Sequence, residues 1–432
     1  MSSASLTRAV LSLAFAVLIV PPAATALDPA TARRLPPEHT DIRREFLDYV
    51  TAPLVELYRL REATRRSRIS GVDVRVSVEQ SDDYVYLVVV PGLNGEYPLD
   101  SAGTFILRRR RDNGTISQLK VFLRSDSRFF IRVRPDRDDR SLMSVYLADT
   151  RIHRDVAVPM GIEMIMQEPL ERLLSVTSSL IDWSWFFPEL DLGAYEPVRI
   201  MVERARATLH TLPDAEDGAM DETGRLVFIQ SLVLQDQQPG FNCSGFAKWI
   251  VDGLHMGLYG SFLPIEPLKT KHTDLRGHRW SEPREDDRDP YFGLDWTRNL
   301  ATAMLSAEHG GAQTHPEAAD VRNVPYATYI EDVGYPVDQL GQIMYLLAVR
   351  EPGYFYVASV NREFGSEPRL NQHVHVAVLF PYFDDDGQFR VDVMERNVET
   401  SLQSLDDRYH DDHIHLVRIR ADESYTPPLI RN

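Results

Sequence analysis

The chain has 432 residues, of which 43% are hydrophobic and 26% are charged, a composition typical of a soluble globular protein with room for two or three domains. Its formal net charge of −17 at pH 7 argues against a nucleic-acid partner, because nucleic-acid-binding proteins need a basic surface. The same charge argues against adhesion to anionic membranes. The single cysteine, Cys243, excludes an internal disulfide bond.

The first 26 residues have the pattern of a secretory signal peptide. Arg8 precedes an apolar run over residues 9–20, and Ala24-Thr25-Ala26 has the small-x-small form of a cleavage site. The run is too short to span a bilayer, and no later segment is long and apolar enough to do so. We therefore expect an exported protein, periplasmic or extracellular, with no integral membrane segment after signal cleavage.

The rest of the chain divides into three regions by its hydrophobic pattern. Residues 27–70 are predicted to form a leader and a helix, because apolar residues recur there at three- and four-residue spacing. Residues 71–160 alternate apolar and polar residues in six or so short segments, which predicts a small β-sandwich or barrel. Residues 161–425 mix both patterns and are predicted to form an α+β domain with an insertion at about 260–340.

Cys243 lies at the predicted start of a helix. Pro239-Gly240 breaks the chain, Asn242 is a favourable N-cap residue, and an apolar helical pattern follows. At this end of a helix the dipole favours a thiolate, and the unpaired backbone N–H groups can stabilise an oxyanion. The small Ser244 and Gly245 are expected to leave room for a substrate. We therefore predict that Cys243 is a nucleophile, with its own N–H as an oxyanion donor.

The residues around this cysteine resemble the nucleophile motif of the NlpC family of cell-wall cysteine peptidases. The matching residues are Asn242-Cys243-Ser244-Gly245-Phe246. The resemblance implies a papain-like (NlpC-type) α+β domain with an antiparallel sheet, thiol-protease activity on the stem peptides of peptidoglycan, and neither a cofactor nor a metal. Papain-like enzymes carry an upstream glutamine that donates to the oxyanion. By this resemblance Gln237 is a second oxyanion donor, and a glutamine on a surface loop is the alternative.

The predicted general base is His375. It opens the strand segment His375-Val376-Ala377-Val378, and the NlpC pattern has its catalytic histidine at the start of a strand, followed by Val and small or apolar residues. Its distance in sequence from Cys243 falls within the roughly 130–150 residues of papain-type enzymes. His373, two residues earlier on the same predicted strand face, is the reserve candidate.

The residue that orients the histidine follows from hairpin geometry. A turn at Asp385-Asp386 brings the end of the return strand opposite His375, near position 396. Glu395 and Asn397 share one strand face by the period of two, so either one can reach the imidazole. Asn matches the papain type, whereas a carboxylate stabilises an imidazolium more strongly, which slightly favours Glu395.

Two other functions fit the same residues. One is an amidase, transamidase or acyltransferase on the same fold, and the other is a non-catalytic exported binding protein with a decayed site. A metal site is not predicted, because the acidic and histidine cluster near the C-terminus lacks a recognised ligand spacing. The cluster comprises His410, Asp411, Asp412, His413 and His415.

Overall fold

The computed structural model describes residues 26–137, 139–276, 289–364 and 370–431. The predicted signal peptide therefore lies outside the described residues, apart from Ala26. Across the described ranges, no helix combines the length and the apolar character needed to cross a bilayer.

The first of two main sheets is an antiparallel meander, in which the eight strands found in the described residues pair in chain order. Its strands are β1 Ala63–Arg66, β2 Asp73–Gln80, β3 Tyr84–Pro91, β4 Phe105–Arg110, β5 Ile116–Phe122, β6 Phe130–Arg137, β7 Arg140–Leu147 and β8 Thr150–Val158. A short ribbon follows, formed by β9 Ala219–Met220 and β10 Leu226–Val227.

The second sheet is also antiparallel and has six strands within the described part of the chain. They are β11 Tyr335–Pro336, β12 Tyr354–Phe364, β13 Leu370–Phe383, β14 Phe389–Glu395, β15 Val398–Thr400 and β16 His413–Arg420. Their order across the sheet is β11-β16-β12-β13-β14-β15. This order places β13 and β14, the strands with the predicted base and its orienting residue, next to each other.

The helices of the described residues surround these sheets. They are α1 Pro29–Ala32, α2 Thr40–Glu45, α3 Asp48–Thr51, α4 Leu54–Leu57, α5 Ile162–Gln167, α6 Leu170–Ser175, α7 Glu196–Leu209, α8 Cys243–Tyr259, α9 Ile265–Leu268, α10 Phe292–Glu308, α11 Leu340–Arg350 and α12 Leu402–Tyr409. Helices α8 and α10 contact each other and β13. Helix α10 falls in the predicted insertion, yet Trp296 and Leu300 from it are fully buried.

Two hydrophobic cores lie on opposite faces of the second sheet. Because side chains alternate along a strand, Tyr356 and Ala358 of β12 join the core shared with the first sheet. Phe355 and Val357 join the core that contains the buried residues of α8 and α10. The first sheet therefore packs into the same core as one face of the second.

The predicted fold class is wrong. A papain-like (NlpC-type) α+β domain preceded by a small β-sandwich or barrel does not describe this β-rich chain. The N-terminal strands form one eight-stranded meander, and its core continues onto the six-stranded sheet. The physical reason is that alternating residues show only that a strand has one buried face. Meanders, sandwiches and barrels share that pattern, and it does not reveal which distant element covers the face.

The single helix expected after the leader is also broken up. Helix α3 ends at Thr51, and Ala52 has an extended backbone with ψ of 152° because Pro53 follows it. The chain then forms the short helix α4 and enters β1. Apolar spacing alone predicted one helix because it did not include this proline effect.

Candidate active site

Cys243 is the first residue of α8, where the sequence placed it. The Asn242 side chain caps the helix by accepting a hydrogen bond from the backbone N–H of Gly245, at 2.8 Å. Cys243 as a whole residue is half-buried. The backbone N–H of Cys243 belongs to the first turn, for which the helix itself supplies no acceptor.

Gly245 is required by backbone packing. A Cβ atom at this position would lie 1.8 Å from the carbonyl oxygen of Gly218. Ser244 is buried, and its carbonyl accepts a hydrogen bond of 2.9 Å from the indole N–H of Trp296. The expectation that Gly245 leaves room for a substrate is therefore wrong, since the chain itself fills that space.

His375 on β13 lies near enough to the Cys243 thiol to change its pKa. Burial raises the pKa of Cys243, but the hydrogen bond and charge of His375, together with the N–H of Val376 and the Ser244 side chain, lower it below its ordinary value. Burial lowers the pKa of His375, but its hydrogen bonds to Cys243 and Glu395 outweigh this and raise it to about 9. These shifts favour a thiolate beside an imidazolium.

Glu395 is the last residue of β14 and reaches the imidazole. Its Oε2 atom lies 2.5 Å from His375 Nε2, so the other ring nitrogen is the one available to the thiol. The pairing of Val378 with Met394 makes Ala377 the next partner of Glu395, two residues from His375 on the same face. Burial raises the pKa of Glu395, but hydrogen bonds from His375 and others lower it to about 2.

Three further side chains complete the surroundings of the histidine. Thr400 Oγ1 donates to Glu395 Oε1 at 2.5 Å, and Arg408 Nη2 donates to both carboxylate oxygens at 2.5 and 2.8 Å. The ring of Tyr409 stacks on His375, with centroids 5.9 Å apart and an interplanar angle of 20°. The sequence offered no signal for these residues, because they come from β15 and α12, after the predicted hairpin.

The structure does not bring Asn397 or Gln237 into this group. Asn397 lies in the turn after β14, and its Nδ2 atom donates to the carbonyl of Leu212 at 2.9 Å. Gln237 is exposed on the loop before α8. The glutamine buried in that loop is Gln235, but its amide already bonds to the backbone of Asp217 and Gly240 at 2.6 Å each.

His373 is on the opposite face of β13 from His375. Val360 pairs with His375 whereas Asn361 pairs with His373, so Val374 forms a bulge between them. His373 is buried, its Nδ1 atom lies 2.9 Å from the Ser359 hydroxyl, and burial lowers its pKa to about 3. The expectation that both histidines share a face is wrong, and His373 is a neutral core residue.

The acidic and histidine side chains near the C-terminus do not form one group, because His410, Asp412 and His415 each contact a different residue. His410 contacts Asp406 at 2.9 Å, and Asp412 pairs with Arg362 at 2.8 Å. His415 is fully buried beside Asp320. Elsewhere in the described residues Glu317, Glu331 and Asp332 lie close enough to share a cation. They are already paired with arginines, Arg298 and Arg322.

Part of the chain matches a known protein family. Residues 33–185 match the model of a family described as a domain of unknown function, DUF8515. The match covers α2–α6 and the whole first sheet, and it stops before Cys243. No curated protein and no solved structure matches the chain.

Proposed function

We propose that the chain is a cysteine hydrolase that cleaves amide bonds through a thioester. The observation that carries the proposal is the contiguous row formed by Cys243, His375 and Glu395. The thiol of the half-buried Cys243 has a lowered pKa because His375 acts on it, the pKa of that histidine is raised, and the buried Glu395 carboxylate holds the far nitrogen of its ring. A nucleophile, a base and an orienting group in this arrangement are what acyl transfer requires.

Each group has a defined part in the proposed reaction. The Cys243 thiolate attacks the amide carbon, and the backbone N–H of Cys243 stabilises the resulting oxyanion. The His375 imidazolium protonates the leaving amine as the C–N bond breaks, which leaves a thioester. Neutral His375 then takes a proton from water, the resulting hydroxide attacks the thioester, and the C–S bond breaks to release a carboxylic acid and the thiolate. Glu395 keeps the imidazole oriented throughout.

The substrate class in this proposal is the stem peptide of peptidoglycan. The support is the likeness of residues 242–246 and 375–378 to the NlpC cell-wall peptidases, together with the signal-like first 26 residues, which imply export to the compartment that contains this polymer.

Digestion of purified peptidoglycan, with the products identified by mass, tests the proposal. Wild type is expected to release peptide fragments, whereas Cys243→Ala and His375→Ala release none. His410→Ala is the matched control, because His410 is exposed and pairs with Asp406 outside the site, and it should match wild type. Identical products from wild type and Cys243→Ala would overturn the proposal. Products joined to an added amine would assign the site to an acyltransferase instead.

A further inference from the structure

The Glu395 carboxylate is fixed by two side chains in addition to the histidine that it orients. Its side chain is 4% exposed, and it contacts Thr400 and Arg408 in addition to His375. Arg408 contacts both carboxylate oxygens, whereas Thr400 contacts only Oε1. The arginine is therefore placed to fix the rotation of the carboxylate group.

Arg408 is itself fixed although its side chain is 44% exposed. Its Nε atom donates to the carbonyl of Ser404 one turn earlier in α12, at 2.9 Å. Its guanidinium lies 5.1 Å from the ring centroid of Tyr409, the ring that stacks on His375. An exposed ion pair usually contributes little to stability, because holding its mobile side chains in place costs entropy. The contacts with Ser404 and Tyr409 already restrict the Arg408 side chain, so less entropy is lost when it binds Glu395.

We propose that Arg408 is a positioning residue for this site, because it holds Glu395 Oε2 against His375 Nε2 and so turns the other imidazole nitrogen toward Cys243. The inference rests on the proposed function, in which His375 transfers protons. It also assigns the end of α12 to the site, with Arg408 orienting the carboxylate and Tyr409 covering the imidazole ring.

The direction in which the pKa of His375 changes when Arg408 is removed distinguishes a positioning role from an effect of positive charge alone. If Arg408 acted only by its positive charge, its removal would make the imidazolium more stable and raise the pKa of His375. If it positions Glu395, its removal frees the carboxylate to rotate, weakens the hydrogen bond to His375 and lowers that pKa. The two roles therefore predict opposite signs.

The test compares alkylation of Cys243 by iodoacetate and by iodoacetamide across pH. The imidazolium attracts the anionic reagent, so the ratio of the two rates falls when His375 loses its proton. In wild type the midpoint of this fall in the rate ratio is expected at about pH 9. In Arg408→Gln it should fall by about one pH unit, the equivalent of a tenfold change in the proton equilibrium, and Arg408→Lys should lie between them.

Two controls keep the result specific. Arg390→Gln removes an exposed arginine from an ion pair with Asp384 at the far end of the same hairpin, and it should leave the midpoint unchanged. Arg408→Gln should have no further effect in a Glu395→Gln background, because its action passes through Glu395. A midpoint in Arg408→Gln that stays in place or rises overturns the positioning role.

The proposed function fails in a different way from the positioning role. If wild-type Cys243 reacts with iodoacetamide only above about pH 8, the thiolate–imidazolium pair is absent and the proposed function loses its basis. If wild type reacts well below that pH but Arg408→Gln behaves identically, the proposed function stands and only the role of Arg408 is overturned.

Discussion

Glu395 and Asn397 lie two residues apart, yet their side chains serve different parts of the molecule. Glu395 ends β14 with its carboxylate on His375, whereas Asn397 sits in the following turn and ties it to the backbone of Leu212. The turn is tight because Glu395 pairs directly with Val398 across only two residues. The period of two assumed from the sequence stops at this turn, which is why Asn397 does not face the imidazole.

Substitution of these two residues should separate catalysis from structure. Glu395→Gln is expected to lower the hydrolysis rate by about 10²-fold or more, because an amide does not stabilise the imidazolium and can present the wrong hydrogen-bonding group to it. Asn397→Ala should leave the rate unchanged and lower the free energy of unfolding by about 1 kcal/mol through the lost hydrogen bond to Leu212. Steady-state hydrolysis and urea unfolding measure the two effects, and an equal loss of activity in both variants would contradict the assignment.

The pH dependence of hydrolysis follows from the histidine. His375 must carry a proton to release the amine, and its pKa is raised to about 9, so the rate should fall as the pH rises through about 9. The acid limb should lie below the ordinary pKa of a thiol, because the pKa of Cys243 is lowered. A plot of kcat/KM against pH checks both limbs. An alkaline limb near 6.5, the ordinary value for histidine, would contradict the Cys243–His375–Glu395 row.

Sequence reasoning reached the residues whose position follows from local rules. Cys243 could be placed because an N-cap residue precedes it, and Glu395 because a hairpin turn fixes the strand opposite His375. Arg408 and Tyr409 could not be placed. They reach the site through the packing of α12, and no local pattern in the sequence fixes where a short helix packs after a hairpin.

At the scale of elements, the start of α8 is set by close contact between backbones. Gly245 faces the carbonyl of Gly218, and the N–H of Asn242 donates to that same carbonyl at 3.2 Å. This contact presses the first turn of α8, with Cys243 in it, against the segment that precedes β9. The position of the thiol therefore depends on a residue that carries no functional group.

Gly245→Ala should destabilise the protein for this reason. A methyl group placed 1.8 Å from a backbone oxygen forces the helix to shift, and we expect a loss of about 3 kcal/mol in the free energy of unfolding. Gly341→Ala in α11 is the matched control. Its added methyl would meet the nearest atom at 3.5 Å, so the better helix propensity of alanine should raise stability by about 1 kcal/mol. Thermal melts of the two variants measure the difference, and shifts of the same sign would contradict it.

At the scale of the whole molecule, Tyr345 of α11 joins the two sheets. Its ring centroid lies 4.6 Å from that of Phe129 beside the first sheet, and 5.2 Å from that of Phe389 in the second. Its hydroxyl donates to the carbonyl of Trp185 at 2.7 Å. Three separate stretches of the chain therefore meet on one side chain. Such contacts between residues far apart in sequence are what the strand patterns did not contain.

Tyr345→Ala should consequently weaken both sheets at once. We expect a loss of about 3–5 kcal/mol in the free energy of unfolding, with a single transition when far-UV circular dichroism and tryptophan fluorescence are followed together. Tyr58→Ala, at a position 41% exposed, is the control and should change stability by no more than about 0.5 kcal/mol. Two well-separated transitions in the wild type would show that the sheets unfold independently, in conflict with the shared core.

The bulge at Val374 has a consequence for how β13 tolerates insertions and deletions. The side chains of the two histidines face opposite sides of the sheet. His373 faces the core beneath α10, and His375 faces Tyr409 of α12. The extra residue at the bulge allows two histidines that are two positions apart in sequence to face opposite sides of the sheet, whereas a regular strand would place them on one side. Loss of Val374 would make the two histidines consecutive residues of a regular strand, which also face opposite sides of the sheet, so both would keep their directions. A one-residue deletion at the bulge should therefore be tolerated better than one elsewhere in β13, where it would turn every later side chain to the opposite face.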